Sequence, residues 1–426
     1  MSRTKFLRTA AVAACAAGMA TVGLAAPAQA ADPGVYAQRI VLGMTTPVTG
    51  PASAGYLYIP AAAKAYFAYV NKNGGINGRQ VDLVVKDDKY SPALTQQATN
   101  ELILNDKIFA MFGALGTDTH NTVIDTLNQK GIPDVFINTG ASQFGNVKKY
   151  PTTFPYFPSY SVEAKVMAKY ITDTPALSGL KRCFMYQDGD FGTDASNGFK
   201  AAGMEFATTT SYSAATVAQP LTAQVVKMKM AGCQLVAFFG ITQATANVLG
   251  VSAKAGFSPT WMVTSVGSEP AIIKGILGAN ATALMNKMYT PSFLTAITDT
   301  GNPYVSQMKT LVEASGLPWN FYTYYGVNSA YVMAQALKAA GPNLTRAGLL
   351  TALQTKSSTF RSAATVPLVI TPSSHQGLSG YWMGQYDSAG TLGRLTKGIY
   401  VATSAPTGGA KAASYNQLPP TRKLLP

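Results

Sequence analysis

A regular alternation of strand-like and helix-like segments is the feature that most constrains the fold of this chain. A buried strand is predicted at residues 39–45, and residues 58–71 carry apolar side chains at helical spacing before Asn73-Gly74-Gly75 ends the helix. The pattern continues with strands predicted at residues 81–85, 108–112 and 134–137, separated by helices at 92–104 and 117–129. Uninterrupted alternation of this kind favours a parallel sheet with helices on both faces.

The same alternation starts again after a stretch rich in proline and aromatic residues at 151–160. The second run is predicted as helix 162–171, strand 183–186, helices 195–204 and 221–230, strand 235–239, helix 244–255 and strand 261–264. Two successive runs predict an α/β protein with two doubly wound, parallel-sheet lobes. Beyond residue 289 we expect helices at 304–313 and 324–340, a β-hairpin within 379–398 and a flexible tail over 404–426.

The first 30 residues are typical of an export signal. Basic Arg3, Lys5 and Arg8 precede an apolar, uncharged run at 10–26, and Ala28-Gln29-Ala30 fits a cleavage site after Ala30. The apolar run is shorter than the ~20 residues of a comfortable membrane span. A retained anchor helix, or lipidation at Cys15, are the alternatives. We therefore expect an exported protein, in the periplasm or on the exterior of the cell envelope.

Composition narrows the class of protein further. Hydrophobic residues make up 47% of the chain and charged residues 12%, which favours a compact globule over disorder. The formal charge is +14, yet basic residues never run longer than two in a row, so no nucleic-acid partner is expected. The chain shows no Cys/His cluster with metal-ligand spacing, and we expect neither a metal nor another cofactor.

Two cysteines, Cys183 and Cys233, remain after removal of the signal. Each stands at or near the start of a predicted strand. In an oxidising compartment they could form a disulfide if those strands were parallel neighbours. Two buried thiols are the alternative.

Several motifs of the chain occur in the order and spacing of one known family. They are Pro47-Val48-Thr49-Gly50-Pro51, Asn73-Gly74-Gly75-Ile76-Asn77-Gly78-Arg79, Val84-Val85-Lys86-Asp87-Asp88, Phe112-Gly113-Ala114-Leu115-Gly116, Asn138-Thr139-Gly140-Ala141-Ser142 and Tyr186-Gln187-Asp188-Gly189-Asp190-Phe191-Gly192. With these motifs the chain resembles type I periplasmic binding proteins, most of all the leucine/isoleucine/valine-binding branch that serves ABC transporters. The resemblance covers residues 39–270 well and the remainder loosely.

The resemblance implies two lobes joined by a three-strand hinge, with the ligand held in the cleft between them. It places the first lobe at residues 38–157 plus 290–357. The second lobe would take residues 158–289 plus 358–403.

Ligands of open α/β sheets bind outside the carboxyl ends of the strands, where helix N-termini favour anions. Three loops of the first lobe meet this description, at residues 45–58, 116–119 and 139–143. The resemblance implies that the last two hold a ligand carboxylate through hydroxyls and backbone N–H groups. The candidate ligand-binding residues in these loops are Tyr56, Gly116, Thr117, Ala141, Ser142 and Gln143. For Thr117 a simple helix cap is the alternative.

Candidates from the second lobe follow its predicted strands. The resemblance implies that Phe191 covers the ligand, with a core position as the alternative. Tyr160 lies at the start of this lobe, and Thr242 and Gln243 follow the strand at 235–239.

Ser265 occupies the position at which amino-acid binders of the family carry an acid that pairs with the ligand ammonium. The first acid after it is Glu269. An unpaired ammonium in a closed cleft would be costly. The sequence therefore favours a carboxylate without an amine, such as an aromatic acid, or an amide or related small polar compound, over an aliphatic amino acid.

These observations predict a monomeric, non-enzymatic solute-binding protein that captures a small organic ligand for an ABC permease. A ligand-sensing module of a receptor system is one alternative. An exported hydrolase is another, but the chain has two histidines, His120 and His375, and no Gly-x-Ser-x-Gly elbow. His120 is expected to face solvent.

Overall fold

The computed structural model describes residues 32–50 and 52–426, so the predicted export signal, its cleavage site and Cys15 lie outside the described residues. Within these ranges, none of the helices is both long and apolar enough to cross a membrane. Two sheets organise this part of the chain.

The first sheet is built from five parallel strands in the order β2-β1-β3-β4-β5. These strands are β1 Arg39–Thr46, β2 Gln80–Asp87, β3 Ala110–Phe112, β4 Asp134–Ile137 and β5 Thr153–Pro155. The helices between them are α1 Ser53–Tyr56, α2 Tyr58–Lys72, α3 Pro92–Leu104, α4 Thr117–Asn121 and α5 Ile124–Gln129. The central strands are fully buried, as expected for a parallel sheet covered on both faces.

The second sheet has nine strands, because antiparallel strands extend a parallel centre. Its strands are β6 Arg182–Gln187, β7 Thr208–Tyr212, β8 Leu235–Phe239, β9 Thr260–Val263, β10 Tyr289–Ser292, β11 Gly380–Tyr386, β12 Leu392–Arg394, β13 Ile399–Val401 and β14 Lys411–Ala413. They follow the order β14-β13-β11-β10-β9-β8-β6-β7, and β12 pairs with β11. Strands β6 to β10 are parallel to one another, whereas every pairing that involves β11 to β14 is antiparallel. The predicted hairpin at residues 379–398 is present as β11 and β12.

The remaining helices follow in chain order. They are α6 Tyr160–Asp173, α7 Pro175–Ser178, α8 Asp190–Ala201, α9 Thr222–Met230, α10 Thr242–Lys254, α11 Pro270–Leu277, α12 Ala281–Met285, α13 Pro303–Ala314, α14 Phe321–Ala339 and α15 Arg346–Lys356. Helix α14 begins with a capping box, in which Asn320 and Thr323 exchange side-chain and backbone hydrogen bonds. It packs against α2 of the first lobe, where the rings of Tyr66 and Tyr331 meet edge to face.

Three segments carry the chain between the two sheets, and they lie side by side. They are residues 156–159, 293–302 and 357–379, here called the first, second and third hinge segments. Leu294, in the second segment, forms an antiparallel bridge with Ala364 in the third. The first and third segments meet at Tyr156, whose hydroxyl lies 2.5 Å from Ser362 Oγ. Asn328 in α14 joins both, since its Nδ2 donates to Tyr156 Oη at 2.6 Å and its Oδ1 accepts from the backbone N–H of Ala363 at 2.7 Å. The hinge implied by the resemblance therefore consists of three segments that are joined by hydrogen bonds.

The structure differs from the sequence-based prediction in residues 404–426, which were expected to form a flexible tail. Strand β14 adds to the second sheet, and residues 411–426, here called the C-terminal strap, then run across the hinge. Gln417 Nε2 donates to Thr295 Oγ1 at 3.0 Å and to Ala364 O at 3.1 Å, so the strap touches two of the three hinge segments. Its small, polar and proline residues suggested disorder, but hydrogen bonds from both its side chains and its backbone hold this segment.

The far end of the C-terminal strap lies on the first lobe. The hydroxyls of Tyr66 and Tyr69 in α2 donate to the carbonyls of Leu424 and Lys423 at 2.8 and 2.7 Å. Leu424 is only 2% exposed and belongs to the main hydrophobic core. The strap is therefore a fourth connection between the lobes.

We predict that Leu424→Ala lowers the free energy of unfolding by about 2–4 kcal/mol, because it removes a buried side chain from a packed core. Leu418→Ala is the matched control, since Leu418 is 39% exposed in the same strap and its loss should cost about 0.5 kcal/mol or less. Urea unfolding followed by tryptophan fluorescence measures both. Equal losses for the two variants would show that the strap does not pack as described.

Cys183 and Cys233 are joined by a disulfide, with their Cα atoms 5.8 Å apart. Cys183 lies in β6, and Cys233 lies two residues before the parallel neighbour β8. Both side chains are buried. Of the two alternatives left open by the sequence, the structure has the bridge.

The double variant Cys183→Ala with Cys233→Ala is predicted to lose about 2–4 kcal/mol of unfolding free energy. The reason is that a cross-link over a separation of 50 residues restricts the unfolded chain. Urea denaturation with and without a reductant provides the measurement. The wild-type protein unfolded in reductant should match the double variant, and a wild-type midpoint insensitive to reductant would refute the prediction.

Candidate functional site

Between the two lobes lies a small cavity with about 20 Å³ of free space, here called the aromatic cavity. Its lining comes from the carboxyl ends of strands in both sheets and from the first hinge segment. The lining residues are Tyr56, Tyr90, Leu115, Gly116, Asn138, Phe157, Tyr160, Phe191, Ile241 and Val266. None of them carries a carboxylate, an ammonium or a guanidinium group.

Four of the predicted ligand-binding residues meet in the aromatic cavity, namely Tyr56, Gly116, Tyr160 and Phe191. The rings of Tyr160 and Phe191 lie 4.4 Å apart between centroids. Gly116 has a φ of +105°, and a Cβ at this position would lie 2.3 Å from Thr119 Oγ1. A glycine is therefore required where this loop turns against the cavity.

A short chain of hydroxyl groups runs behind the cavity wall. Thr117 Oγ1 lies 2.6 Å from Thr139 Oγ1, which in turn lies 3.4 Å from Tyr160 Oη. The backbone N–H of Ala141 also donates to Thr139 Oγ1, at 3.4 Å. Thr117 and Ala141 thus support Tyr160 from behind, and neither lines the cavity.

The aromatic cavity offers uncharged hydrogen-bond donors, the hydroxyl groups of its tyrosines. Burial raises the pKa of Tyr160 to about 12, which its hydrogen bonds to Thr139 and Gly140 only partly offset. Burial likewise raises the pKa values of Tyr56 and Tyr90. All three phenols therefore remain protonated at neutral pH and can donate hydrogen bonds to a bound oxygen atom.

Ser142 and Gln143 contact the opposite lobe and do not line the cavity. Asp194 in α8 accepts from the backbone N–H of Ser142 at 3.2 Å and from its hydroxyl. Gln143 Nε2 donates to Asp190 Oδ2 at 2.9 Å. The structure thus places these two residues at a contact that holds the lobes together.

The remaining predicted residues are distributed around the cavity. Thr242 Oγ1 lies 2.7 Å from the hydroxyl of Tyr322, which reaches across from α14 in the first lobe. Gln243 is half-buried in the first turn of α10 and is not among the cavity residues. Ser265 donates its backbone N–H to Glu163 Oε1 at 2.6 Å and lines a neighbouring pocket.

Sequence reasoning missed six of the lining residues, namely Tyr90, Leu115, Asn138, Phe157, Ile241 and Val266. All six lie one to three residues beyond the end of a strand, closer to the strand than the four predicted lining residues. Leu115, Asn138, Ile241 and Val266 adjoin a predicted loop or residue, whereas Tyr90 lies in the loop after β2, which the prediction did not include. Asn138 adds a further polar group, because its Nδ2 is buried and has no hydrogen-bond partner among the described residues.

A model of the family described as periplasmic binding protein matches residues 39–391. The chain belongs to the periplasmic binding protein family. This confirms the resemblance found in the motifs. The matched region ends before the C-terminal strap.

Relatives and solved structures agree with this membership. The binding protein is 25% identical over 322 residues to Leu/Ile/Val-binding protein homolog 3 of Brucella melitensis, covering 75% of this chain and 81% of that protein. A possible leucine/isoleucine/valine-binding protein from Rhodopirellula baltica superposes with a TM-score of 0.75 at 21% identity, covering 84% and 97% of the two chains. A fatty acid ABC transporter substrate-binding protein from Thermomonospora curvata superposes with a TM-score of 0.73 at 19% identity, covering 90% of this chain and 94% of that chain. The structural likenesses confirm the predicted type I fold.

The two histidines of the binding protein occupy packed positions. His120 was expected to face solvent, but it is buried, with Nε2 2.7 Å from Asp134 Oδ2, because α4 turns this face toward the sheet. His375 stacks on Phe154, with ring centroids 4.0 Å apart. Neither histidine lines the aromatic cavity.

Glu163 is a buried acid that the sequence analysis did not single out. Thr264 Oγ1 donates to its carboxylate at 3.0 Å, in addition to the backbone N–H of Ser265. Burial raises the pKa of Glu163 to about 7, although these hydrogen bonds act in the opposite direction. The carboxylate fixes the loop after β9 and is not among the residues that line the aromatic cavity.

The raised pKa of Glu163 makes stability depend on pH. The folded state holds the proton of Glu163 more tightly than an unfolded glutamate, whose pKa is ~4.3. The stability that this proton contributes is therefore complete below pH ~4.3 and is lost as the pH rises to 7. When the pH rises from 5 to 8, the unfolding free energy of the wild type should therefore fall by about 2–3 kcal/mol more than that of Glu163→Gln. Urea titrations at both pH values test this, with the exposed Glu205→Gln as the control. Parallel pH profiles for Glu163→Gln and wild type would contradict the assignment.

Proposed function

We propose that this protein is an extracytoplasmic solute-binding protein of an ABC importer, and that it captures a small organic carboxylate in the aromatic cavity. Membership of the periplasmic binding protein family supports the capture role. The observation that carries the choice of ligand is the cavity lining, which combines aromatic rings with protonated phenols and contains no acid. An ABC permease is the proposed membrane partner, and export is the proposed location.

The rings and the neutral phenol donors of the aromatic cavity favour a compact, partly aromatic ligand. The cavity has about 20 Å³ of free space, enough for one water molecule, so the lobes must move apart to admit such a ligand. Rings of Tyr56, Tyr90, Phe157, Tyr160 and Phe191 surround this space, and aromatic pairs gain energy from offset or edge-to-face contact. A single-ring carboxylate would match both properties.

The nearby acids do not provide a partner for a ligand ammonium in this cavity. The carboxylate of Glu163 accepts from Ser265 and Thr264, and that of Glu269 accepts from the backbone of Ala271 and Phe321. Neither acid is among the lining residues. A ligand that carries only the carboxylate avoids the cost of an unpaired buried ammonium. The proposed cargo therefore differs from the amino acids in the names of the relatives.

Binding is favoured over hydrolysis by the surroundings of the histidines. His120 pairs with Asp134, and His375 lies 2.8 Å from the carbonyl of Thr153 through Nδ1. A hydrolase would need a base within reach of a nucleophile at the cavity. The two histidines are instead engaged in packing.

Benzoate is expected to raise the melting temperature of the protein, and L-leucine is not. At a concentration of ~100 times Kd the ligand should add ~2.7 kcal/mol to the free energy of unfolding. Differential scanning fluorimetry and titration calorimetry give the measurements. Stabilisation by leucine but not benzoate would overturn the cargo class, and stabilisation by no solute from a broad panel would overturn the capture role.

Phe191→Ala and Thr117→Val should weaken benzoate binding by about tenfold or more, the first through lost ring contact and the second through lost support of Tyr160. Phe206→Ala and Thr99→Val are matched controls, because both residues lie outside the aromatic cavity. Calorimetry on all four variants, with circular dichroism to confirm folding, tests the site. Unchanged affinity in both test variants, or equal losses in the controls, would reject it.

A further inference from the structure

A second and larger pocket, of about 160 Å³, lies beside the loop that follows β9. Apolar and aromatic side chains dominate its walls, among them Pro270, Pro291, Phe321, Trp382, Tyr386 and Leu392. One carboxylate, that of Glu269, is the only acidic or basic group among the lining residues. We call this space the Glu269 pocket.

Glu269 is buried with neutral partners. Its side chain is 4% exposed, Oε1 accepts from the backbone N–H of Ala271 at 3.0 Å, and Oε2 accepts from that of Phe321 at 2.9 Å. No lysine, arginine or histidine of the described residues forms a salt bridge with it. Lys274, the nearest basic residue on the same helix, donates to the carbonyl of Ala389 at 3.1 Å. The carboxylate of Glu269 is therefore held by backbone N–H groups at the starts of α11 and α14, with Lys274 as a nearby charge and without a salt bridge among the described residues.

Aromatic groups stand around this carboxylate. Phe321 is half-buried, whereas Trp382 and Tyr386 are buried, and all three line the pocket. The negative face of an aromatic ring attracts a cation, with tryptophan the strongest of the side chains. A carboxylate together with aromatic walls forms an environment suited to an ammonium group on an apolar body.

We propose that the Glu269 pocket is a second ligand site, which binds a primary ammonium compound with an apolar or aromatic body. The ammonium pairs with Glu269, and the body of the ligand packs against Phe321, Pro291 and Leu392. The pocket shares no lining residue with the aromatic cavity. The two spaces are neighbours, because Ser265 lines the Glu269 pocket and the adjacent Val266 lines the aromatic cavity. Each would bind its own ligand.

The test uses benzylamine as the probe, with benzyl alcohol and benzoate as compounds of matched size. Calorimetry should detect benzylamine binding to the wild-type protein, and Glu269→Gln should weaken it by about tenfold or more, because hydrogen bonds between charged groups are the strong ones. Benzyl alcohol should bind more weakly than benzylamine and should be insensitive to this substitution. Equal benzylamine affinity for wild type and Glu269→Gln would overturn the proposal, as would the absence of benzylamine binding.

A second variant keeps the test independent of the folding of Glu269→Gln. Ala296 is half-buried and lines the Glu269 pocket, so Ala296→Trp should fill the pocket and abolish benzylamine binding. Phe191→Ala alters the aromatic cavity and should leave benzylamine affinity unchanged. Unaltered binding to Ala296→Trp, or a loss caused by Phe191→Ala, would place the amine elsewhere and refute the proposal. Benzoate affinity, measured in parallel, reports separately on the proposed transport function.

Discussion

The relation between the two lobes depends on the amide of Asn328. It lies in the middle of α14, fully buried, and binds Tyr156 in the first hinge segment and Ala363 in the third. A buried amide with satisfied hydrogen bonds fixes the geometry of its partners, whereas an unsatisfied one would be costly. The hinge segments are thereby attached to one helix of the first lobe.

The chemistry of the cleft follows from what this arrangement brings together. The phenols of Tyr56, Tyr90 and Tyr160 reach one small space, while the acids Glu163 and Glu269 are held by backbone N–H groups outside it. The two spaces thus differ in their chemistry. Neutral donors and rings surround the aromatic cavity, and a lone carboxylate lies in the neighbouring pocket. Cargo selection is proposed to depend on the first of these environments.

Much of the fold could be predicted from sequence, because buried parallel strands and amphipathic helices have distinct periodicities. The edge strand Thr208–Tyr212 escaped detection, since it is half-exposed and rich in threonine. Tyr56, Gly116, Tyr160 and Phe191 of the predicted site line the aromatic cavity, yet Ser142 and Gln143 contact Asp194 and Asp190 instead. Loop position is encoded locally, but the direction of each side chain depends on the opposite lobe, and the sequence pattern does not contain that information.

The C-terminal strap has a consequence for how the protein can acquire its structure. Tyr66 in α2 completes its hydrogen bonding with Leu424, a residue 358 positions further along the chain. The strands and helices of the first lobe therefore cannot reach their final packing without the C-terminal strap. We expect an isolated fragment containing that lobe to be incomplete, and dissecting the protein into independent halves to fail. We expect contacts this distant in sequence to slow folding, because closing so long a loop costs entropy.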